Sequence, residues 1–206
     1  MKKLKLGVLA LQGAVSEHIE VLEKAMKKLK FKGEVIKVRK KDDLEGISGL
    51  VIPGGESTTI NKLMLKTEIQ EEILKLAKKG LPILGTCAGA ILLAKKGDEQ
   101  VEKTNIILLD LMEMKVLRNA YGRQVNSFEV EVKIPAIGQK FFKAVFIRAP
   151  IIEKVWGKTL IWAQYQKEII GARKGNILAL TFHPELTNNL RIHEYFIKIA
   201  RKYVSG

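Results

Sequence analysis

Pro82-Ile83-Leu84-Gly85-Thr86-Cys87-Ala88-Gly89-Ala90-Ile91-Leu92-Leu93 joins two apolar runs across a short turn. The first run has the length of a strand and the second opens as a helix. Cys87 stands at the turn, the one cysteine in 206 residues, with a glycine two positions away on either side. G-x-C-x-G is the layout of a nucleophile elbow with sulfur in place of the more usual serine oxygen. Its glycines permit a strained backbone and let the helix pack close to its strand. N–H groups at the start of a helix favour a thiolate over a thiol. The competing reading is a buried structural cysteine, the commonest fate of a lone one. Spacing alone leaves the two about even.

The flanking chain alternates strand and helix. Upstream, Leu4-Lys5-Leu6-Gly7-Val8-Leu9-Ala10-Leu11 reads as a buried strand closed by Gln12-Gly13. From Ser16 to Lys30, the residues Ile19, Leu22, Met26 and Leu29 recur at helical spacing. A short strand, Glu34 to Val38, follows. Then come Leu50-Val51-Ile52-Pro53, the Gly54-Gly55 turn and a helical stretch to about Lys79. This order predicts an α/β fold with a mainly parallel central sheet flanked by helices on both faces.

Past residue 112 the strands shorten: 114–117, 128–134, 144–147, 159–165, 168–173 and 176–182, with turn signals at Gly171 and at Lys174-Gly175-Asn176. Some are expected to pair antiparallel. Residues 188–203 should close the fold as a helix with Ile192, Phe196, Ile199 and Tyr203 on one face. With no repeat or linker, residues 1–206 are read as a single domain.

Composition narrows the function classes. No apolar run approaches a membrane span, and residues 1–12 are too short for a secretory signal. One cysteine excludes an internal disulfide and fits a reducing cytoplasm, so a soluble cytoplasmic protein is expected. The net charge of +14 raises the question of nucleic acid. The lysines are dispersed over the polar sides and ends of helices, with no interleaved aromatic residues to stack bases. A solvated surface is the preferred reading, with no nucleic-acid or membrane partner. No metal and no cofactor are indicated, since cysteine and histidine lack ligand spacing and no phosphate-binding loop is present.

A cysteine nucleophile needs a base, an orienting group and an oxyanion site. Of three histidines, His18 lies beside Glu17 and Glu20 and is expected at the surface or an interface, and His193 in the last helix is expected to pack or face solvent. His183 ends the strand Ile177-Leu178-Ala179-Leu180-Thr181-Phe182 and precedes Pro184-Glu185. In an extended segment, residues two apart share a side, so Glu185 can reach the imidazole. In Pro53-Gly54-Gly55-Glu56-Ser57-Thr58-Thr59, the glycines let N–H groups point into the crevice, while Ser57, Thr58 or Thr59 could simply cap a helix. The N–H groups of Gly55 and Ala88 would form an oxyanion hole.

With these segments in place, the chain resembles the class I (triad) glutamine amidotransferases. The resemblance rests on a Gly-Gly loop, a G-x-C-x-G elbow and a late His-Pro-Glu in that order. Further segments resemble the glutaminase subunits of pyridoxal 5′-phosphate synthases: 9–18, Arg118-Asn119-Ala120-Tyr121-Gly122-Arg123-Gln124, Ser127-Phe128-Glu129, Phe146-Ile147-Arg148-Ala149-Pro150 and 182–186. One departure is Asn126, where the resemblance leads us to expect Asp.

The resemblance implies a flavodoxin-like three-layer fold and a Cys87–His183–Glu185 triad that hydrolyses L-glutamine through a γ-glutamyl thioester. It further implies L-glutamine contacts from Gly55, Glu56, Ser57, Arg118, Ile147 and Arg148. Arginine suits an α-carboxylate because its planar fork binds bidentately. The implied partner is a (β/α)8-barrel synthase subunit in a large hetero-oligomer, which takes the ammonia and switches the glutaminase on. A peptide rearrangement at Gly54-Gly55, with Gln12-Gly13 near the contact, is the expected switch. Two alternatives stand beside this reading: a glutaminase serving imidazole glycerol phosphate or purine biosynthesis, and a non-catalytic basic binding module on the same fold.

Overall fold

The computed structural model describes residues 3–118 and 127–206. The first half alternates as its apolar periodicity demands. β1 (Leu4–Leu9), α1 (Val15–Lys28), β2 (Gly33–Val38) and β3 (Gly49–Ile52) are followed by α2 (Ser57–Lys66), α3 (Ile69–Lys78), β4 (Ile83–Thr86) and α4 (Ala88–Leu93). Next come β5 (Ala94–Lys96), α5 (Glu99–Lys103), β6 (Met112–Leu117), β7 (Ser127–Val132) and β8 (Phe142–Ile147). β9 (Ile151–Val155), β10 (Leu160–Tyr165), β11 (Glu168–Lys174), β12 (Ile177–Leu180) and α6 (Arg191–Ser205) complete the order.

The sheet runs β2-β1-β3-β4-β12-β11-β9-β6-β5, with β10 also on β11 and β7-β8 as a separate antiparallel ribbon. From β2 to β12 every pairing is parallel. Beyond β12 the β12–β11, β11–β9 and β9–β6 pairings are antiparallel, and the last, β6–β5, is parallel. The predicted mainly parallel sheet with antiparallel strands in the C-terminal half is therefore what forms.

Both faces of the central parallel strands are covered, which is why β3 and β12 are buried and apolar along their whole length, whereas β2 at the edge carries Glu34 and Lys37. Leu50, Ile52, Ile83 and Ala179 pack with Ile60, Met64, Ile69, Ile73 and α4. Val51, Leu84, Leu178 and Leu180 turn the other way, onto Leu22 and Met26 of α1 and Phe196 of α6. Successive side chains point to opposite faces, so the sheet is the middle of three layers.

The chain departs from expectation at several points. The helical stretch expected to reach Lys79 is two helices, because Glu68 takes a left-handed conformation (φ 55°) and the Thr67 hydroxyl bonds the Leu63 carbonyl. The turn lets Ile69 and Ile73 join Ile60 and Met64 in the core. Gly171 is not a turn: it lies inside β11, where an added Cβ would sit 3.1 Å from that of Ala163 and 3.0 Å from Leu180 Cδ2. β5, β9 and the five-residue α5 were not anticipated; each is too short to show a period. Residues 119–126, which include most of the Arg-Asn-Ala-Tyr-Gly-Arg-Gln segment and Asn126, lie outside the described residues.

Candidate active site

Because β3, β4 and β12 are parallel neighbours, their carboxyl ends open onto one edge of the sheet. Ile52 pairs with Gly85 and Leu180 with Thr86. The segments that follow, Pro53-Gly54-Gly55, Cys87 and Phe182-His183, therefore emerge side by side. Three stretches separated by up to 130 residues of chain meet through strand order alone.

Cys87 has φ 48° and ψ −104°, a conformation that costs a non-glycine residue about 1–3 kcal/mol. Its N–H donates to the Leu180 carbonyl at 2.8 Å, tying the elbow to β12. Close packing of α4 holds the turn. An added Cβ at Gly89 would lie 2.1 Å from the Ile52 carbonyl oxygen, and one at Gly85 would lie 2.5 Å from Leu93 Cδ1. The Sγ is 3.9 Å from the Ile147 carbonyl oxygen, and the residue is 8 % exposed.

His183 places Nδ1 2.7 Å from Glu185 Oε1, and Cys87 is the other group that acts on its ring. Burial alone would lower the pKa of the ring. The hydrogen bonds to Cys87 and Glu185, and the charges on them, outweigh burial and raise it to about 10, so the resting imidazole is protonated. Glu185 is buried, which pushes its carboxyl up, yet the neighbouring His18 and His183 hold it below the usual range. The Pro184–Leu186 segment is a 3-10 turn rather than the extended stretch expected. Glu185 reaches the ring all the same. An added Cβ at Gly54 would be 2.4 Å from His183 Cε1 and 3.3 Å from Cys87 Cβ, so the loop after β3 seats directly on this pair.

A 280 Å³ cavity opens beside Cys87, at the small end of ligand pockets, which run from about 300 Å³. Gly55, Glu56, Ser57, Ala88, Arg118, Ile147, Arg148 and His183 line it with Cys87, joined by Gln12 and Ile91. Arg118 donates to Glu56 Oε1 at 2.6 Å, and its own N–H donates to Asp98 Oδ2 at 2.9 Å. Burial would raise the Glu56 carboxyl, but the Thr58 hydroxyl and the Arg118 guanidinium hold it below its ordinary value. Arg148 also has positive φ, 43°. None of the three hydroxyls expected as caps bonds the start of α2: the residue before it is Glu56 and no side-chain cap forms. The Ser57 hydroxyl is buried without an aligned partner among the described residues.

The loop is braced from below. Gln12 Oε1 accepts the Glu56 N–H at 2.8 Å, and the Ala14 N–H donates to the Gly54 carbonyl at 3.0 Å. Of the other two histidines, His18 departs from expectation and His193 takes the packed alternative. His18 is fully buried rather than at the surface, 3.1 Å from Thr86 Oγ1 and 3.3 Å from Glu185 Oε2. His193 is also fully buried and lies 3.3 Å from His18. The signal was present in sequence: His18, Val21, Leu22, Ala25 and Met26 form the buried stripe of α1, with His18 in register with the apolar residues. Among the described residues, no cluster of three or more His, Cys, Asp or Glu could hold a metal, and no helix is long and apolar enough to cross a membrane.

Comparison with known proteins agrees with this geometry. The chain is 48 % identical over 197 residues to the pyridoxal 5′-phosphate synthase subunit PdxT of Archaeoglobus fulgidus, covering 96 % of this chain and 98 % of that one. It is 50 % identical over 194 residues to the PdxT subunit of Methanosarcina barkeri, covering 94 % and 96 %. A crystal structure of a glutamine amidotransferase superposes with a TM-score of 0.85 at 42 % identity, over 95 % of this chain and 98 % of that one. A glutamine amidotransferase from Thermotoga maritima, 16 % identical with a TM-score of 0.63 over 98 % of this chain and 86 % of that one, shares the fold. The model of the SNO glutamine amidotransferase family matches residues 8–202, and with that span covered the chain belongs to the SNO glutamine amidotransferase family.

Proposed function

We propose that this chain is the glutaminase subunit of a pyridoxal 5′-phosphate synthase, hydrolysing L-glutamine to L-glutamate and ammonia in the cytoplasm. The observation that carries the reading is the Cys87–His183–Glu185 arrangement at the mouth of the cavity, with the imidazole held as a cation between the Cys87 sulfur and the Glu185 carboxylate. The names of the similar proteins support the choice of synthase over the imidazole glycerol phosphate and purine alternatives.

The steps follow from the geometry. Cys87 attacks the side-chain amide carbon of glutamine as the thiolate, its proton held by the His183 imidazolium, and the carbonyl oxygen becomes an oxyanion. The N–H groups of Gly55 and Ala88 stabilise it, each such donor contributing about 2.7–4 kcal/mol. The protonated His183 gives its proton to the leaving nitrogen, which departs as ammonia and leaves a γ-glutamyl thioester. Neutral His183 then takes a proton from water, the hydroxyl adds to the thioester carbon, and the thiolate leaves with the imidazolium restored. Glu185 keeps Nδ1 protonated throughout, as the aspartate does in serine triads. Arg118 suits the α-carboxylate of glutamine, and Glu56 beside it offers a negative charge to the α-ammonium group.

Ammonia is useful to a synthase only if it is handed over before escaping, so the reading includes docking to a (β/α)8-barrel synthase subunit in a hetero-oligomer. The Gly54 carbonyl held by Ala14, and the Gln12 side chain under Glu56, link the oxyanion loop to the turn after β1. That link would let a docked partner act on the loop. The test supplies amide-15N glutamine, the synthase subunit and its sugar phosphates. Label should enter the pyridine ring with wild type and be absent with Cys87→Ala, while free ammonium supports both equally. Label incorporation by Cys87→Ala would overturn the reading.

A further inference from the structure

The triad uses one oxygen of Glu185. The other, Oε2, is buried and receives no aligned hydrogen bond among the described residues. The group facing it is His18 Nε2, 3.3 Å away, which also lies 3.1 Å from Thr86 Oγ1. Behind it, His18 Nδ1 lies 3.3 Å from His193 Nε2. His18 comes from α1 and His193 from α6, and both are fully buried. The glutaminase steps use neither.

Burial lowers the pKa of both rings, that of His193 to about 3, so each is neutral and carries one N–H. A single hydrogen therefore serves the contact between them, and two arrangements are open. In one, His18 holds its hydrogen on Nε2 and His193 donates from Nε2 to His18 Nδ1. In the other, His18 donates from Nδ1, leaving a lone pair on Nε2 aimed at an anionic carboxylate. The far end of the chain discriminates as well. His193 Nδ1 has no partner among the described residues. The first arrangement leaves there an unmatched acceptor, whereas the second leaves an unmatched buried N–H, the rarer and costlier defect. Both ends select the same tautomers.

We propose that His18 is a positioning residue for amide hydrolysis: its Nε2, bonded to Thr86 Oγ1 and 3.3 Å from Glu185 Oε2, backs the carboxylate, with its tautomer fixed by His193. The five side chains then form one row, Cys87–His183–Glu185–His18–His193. Glu185 then has His183 bonded at Oε1 and His18 beside Oε2, which opposes rotation of Oε1 away from His183. The inference rests on the triad reading above and adds to it two residues remote from the substrate cavity.

The experiment is steady-state hydrolysis of L-glutamine by this chain with its synthase subunit, comparing wild type, His18→Leu, His18→Gln and Cys87→Ala. Misplacement of a catalytic group by about 1 Å costs about 10²-fold. His18→Leu should therefore lower kcat by about that factor, with KM within about twofold. His18→Gln carries an N–H near the position of Nε2 and should recover most of the loss. Unchanged kcat in His18→Leu, or equal losses in the Leu and Gln variants, would overturn the proposal and assign His18 to packing. If His18→Leu does not fold, 15N NMR of histidine-labelled wild type decides: His18 protonated on Nε2 supports the proposal, and protonation on Nδ1 overturns it. Cys87→Ala separates the two readings, since hydrolysis by that variant would sink the triad itself and not merely its support.

Discussion

At Cys87 the backbone and the side chain answer to different constraints. The positive φ is held by the Leu180 carbonyl and by the close approach of α4, and the sulfur is left facing His183. The state of that imidazole makes a pH prediction. Its pKa is raised from 6.5 to about 10 in the folded chain, so the stability it supplies is complete below about pH 6.5 and lost as pH rises through about 10. The difference in unfolding free energy between wild type and His183→Gln should shrink over that window in urea titrations. A difference that stays constant would contradict the imidazolium. His193 has the opposite sign: burial depresses its pKa to about 3. Its contribution is present above about pH 6.5 and lost as pH falls toward 3. His193→Leu should accordingly flatten the acid limb of the stability profile, and an unaltered limb would argue against a neutral buried ring. The residues proposed for the chemistry were readable from short motifs because glycine and proline mark them. His18 was not, since Glu17 and Glu20 beside it pointed to solvent while its register with Val21, Leu22 and Ala25 pointed inward. In a helix the neighbours in sequence face elsewhere, and the register prevails.

Among the elements, α4 and the cap of α5 bear most directly on the cavity. Gly89→Ala would set a Cβ 2.1 Å from the Ile52 carbonyl oxygen, forcing α4 away from β3. Destabilisation of about 1–3 kcal/mol is expected, with loss of glutaminase activity because the elbow moves with the helix. Chemical denaturation at neutral pH measures it, and unchanged stability would refute the packing argument. Asp98 has two duties: Oδ1 caps α5 through the Val101 N–H, and Oδ2 accepts the Arg118 N–H. Asp98→Ala should cost about 1 kcal/mol as a lost cap and raise KM for glutamine more than it lowers kcat. A fall in kcat alone would show that Arg118 is not held this way. The long amphipathic helices and the apolar strands were legible because their periods repeat. The break between α2 and α3 was not, for the sequence keeps a helical pattern through it and only the demand of Ile69 and Ile73 for the core bends the chain.

For the molecule as a unit, strand order is the feature on which function depends. The motifs at 53–59, 85–89 and 183–185 are far apart in sequence, and the placing of β3 and β12 on either side of β4 joins them. The alternation of strand and helix made the parallel part predictable. The antiparallel extension through β11, β9 and β6 was legible only in outline, since short strands such as Ile151–Val155 carry no period of their own. The core on the α1 and α6 face supports the buried histidine pair as well as the sheet. Phe196→Ala, fully buried there, should cost about 3–5 kcal/mol. The most direct test of the chemistry is the mass of the Cys87 peptide after the chain, with its synthase subunit, meets the glutamine mimic diazo-oxo-norleucine. A single covalent adduct on Cys87, blocked by excess glutamine and much slowed in His183→Gln, is the predicted result; an unmodified Cys87 after prolonged exposure would contradict it.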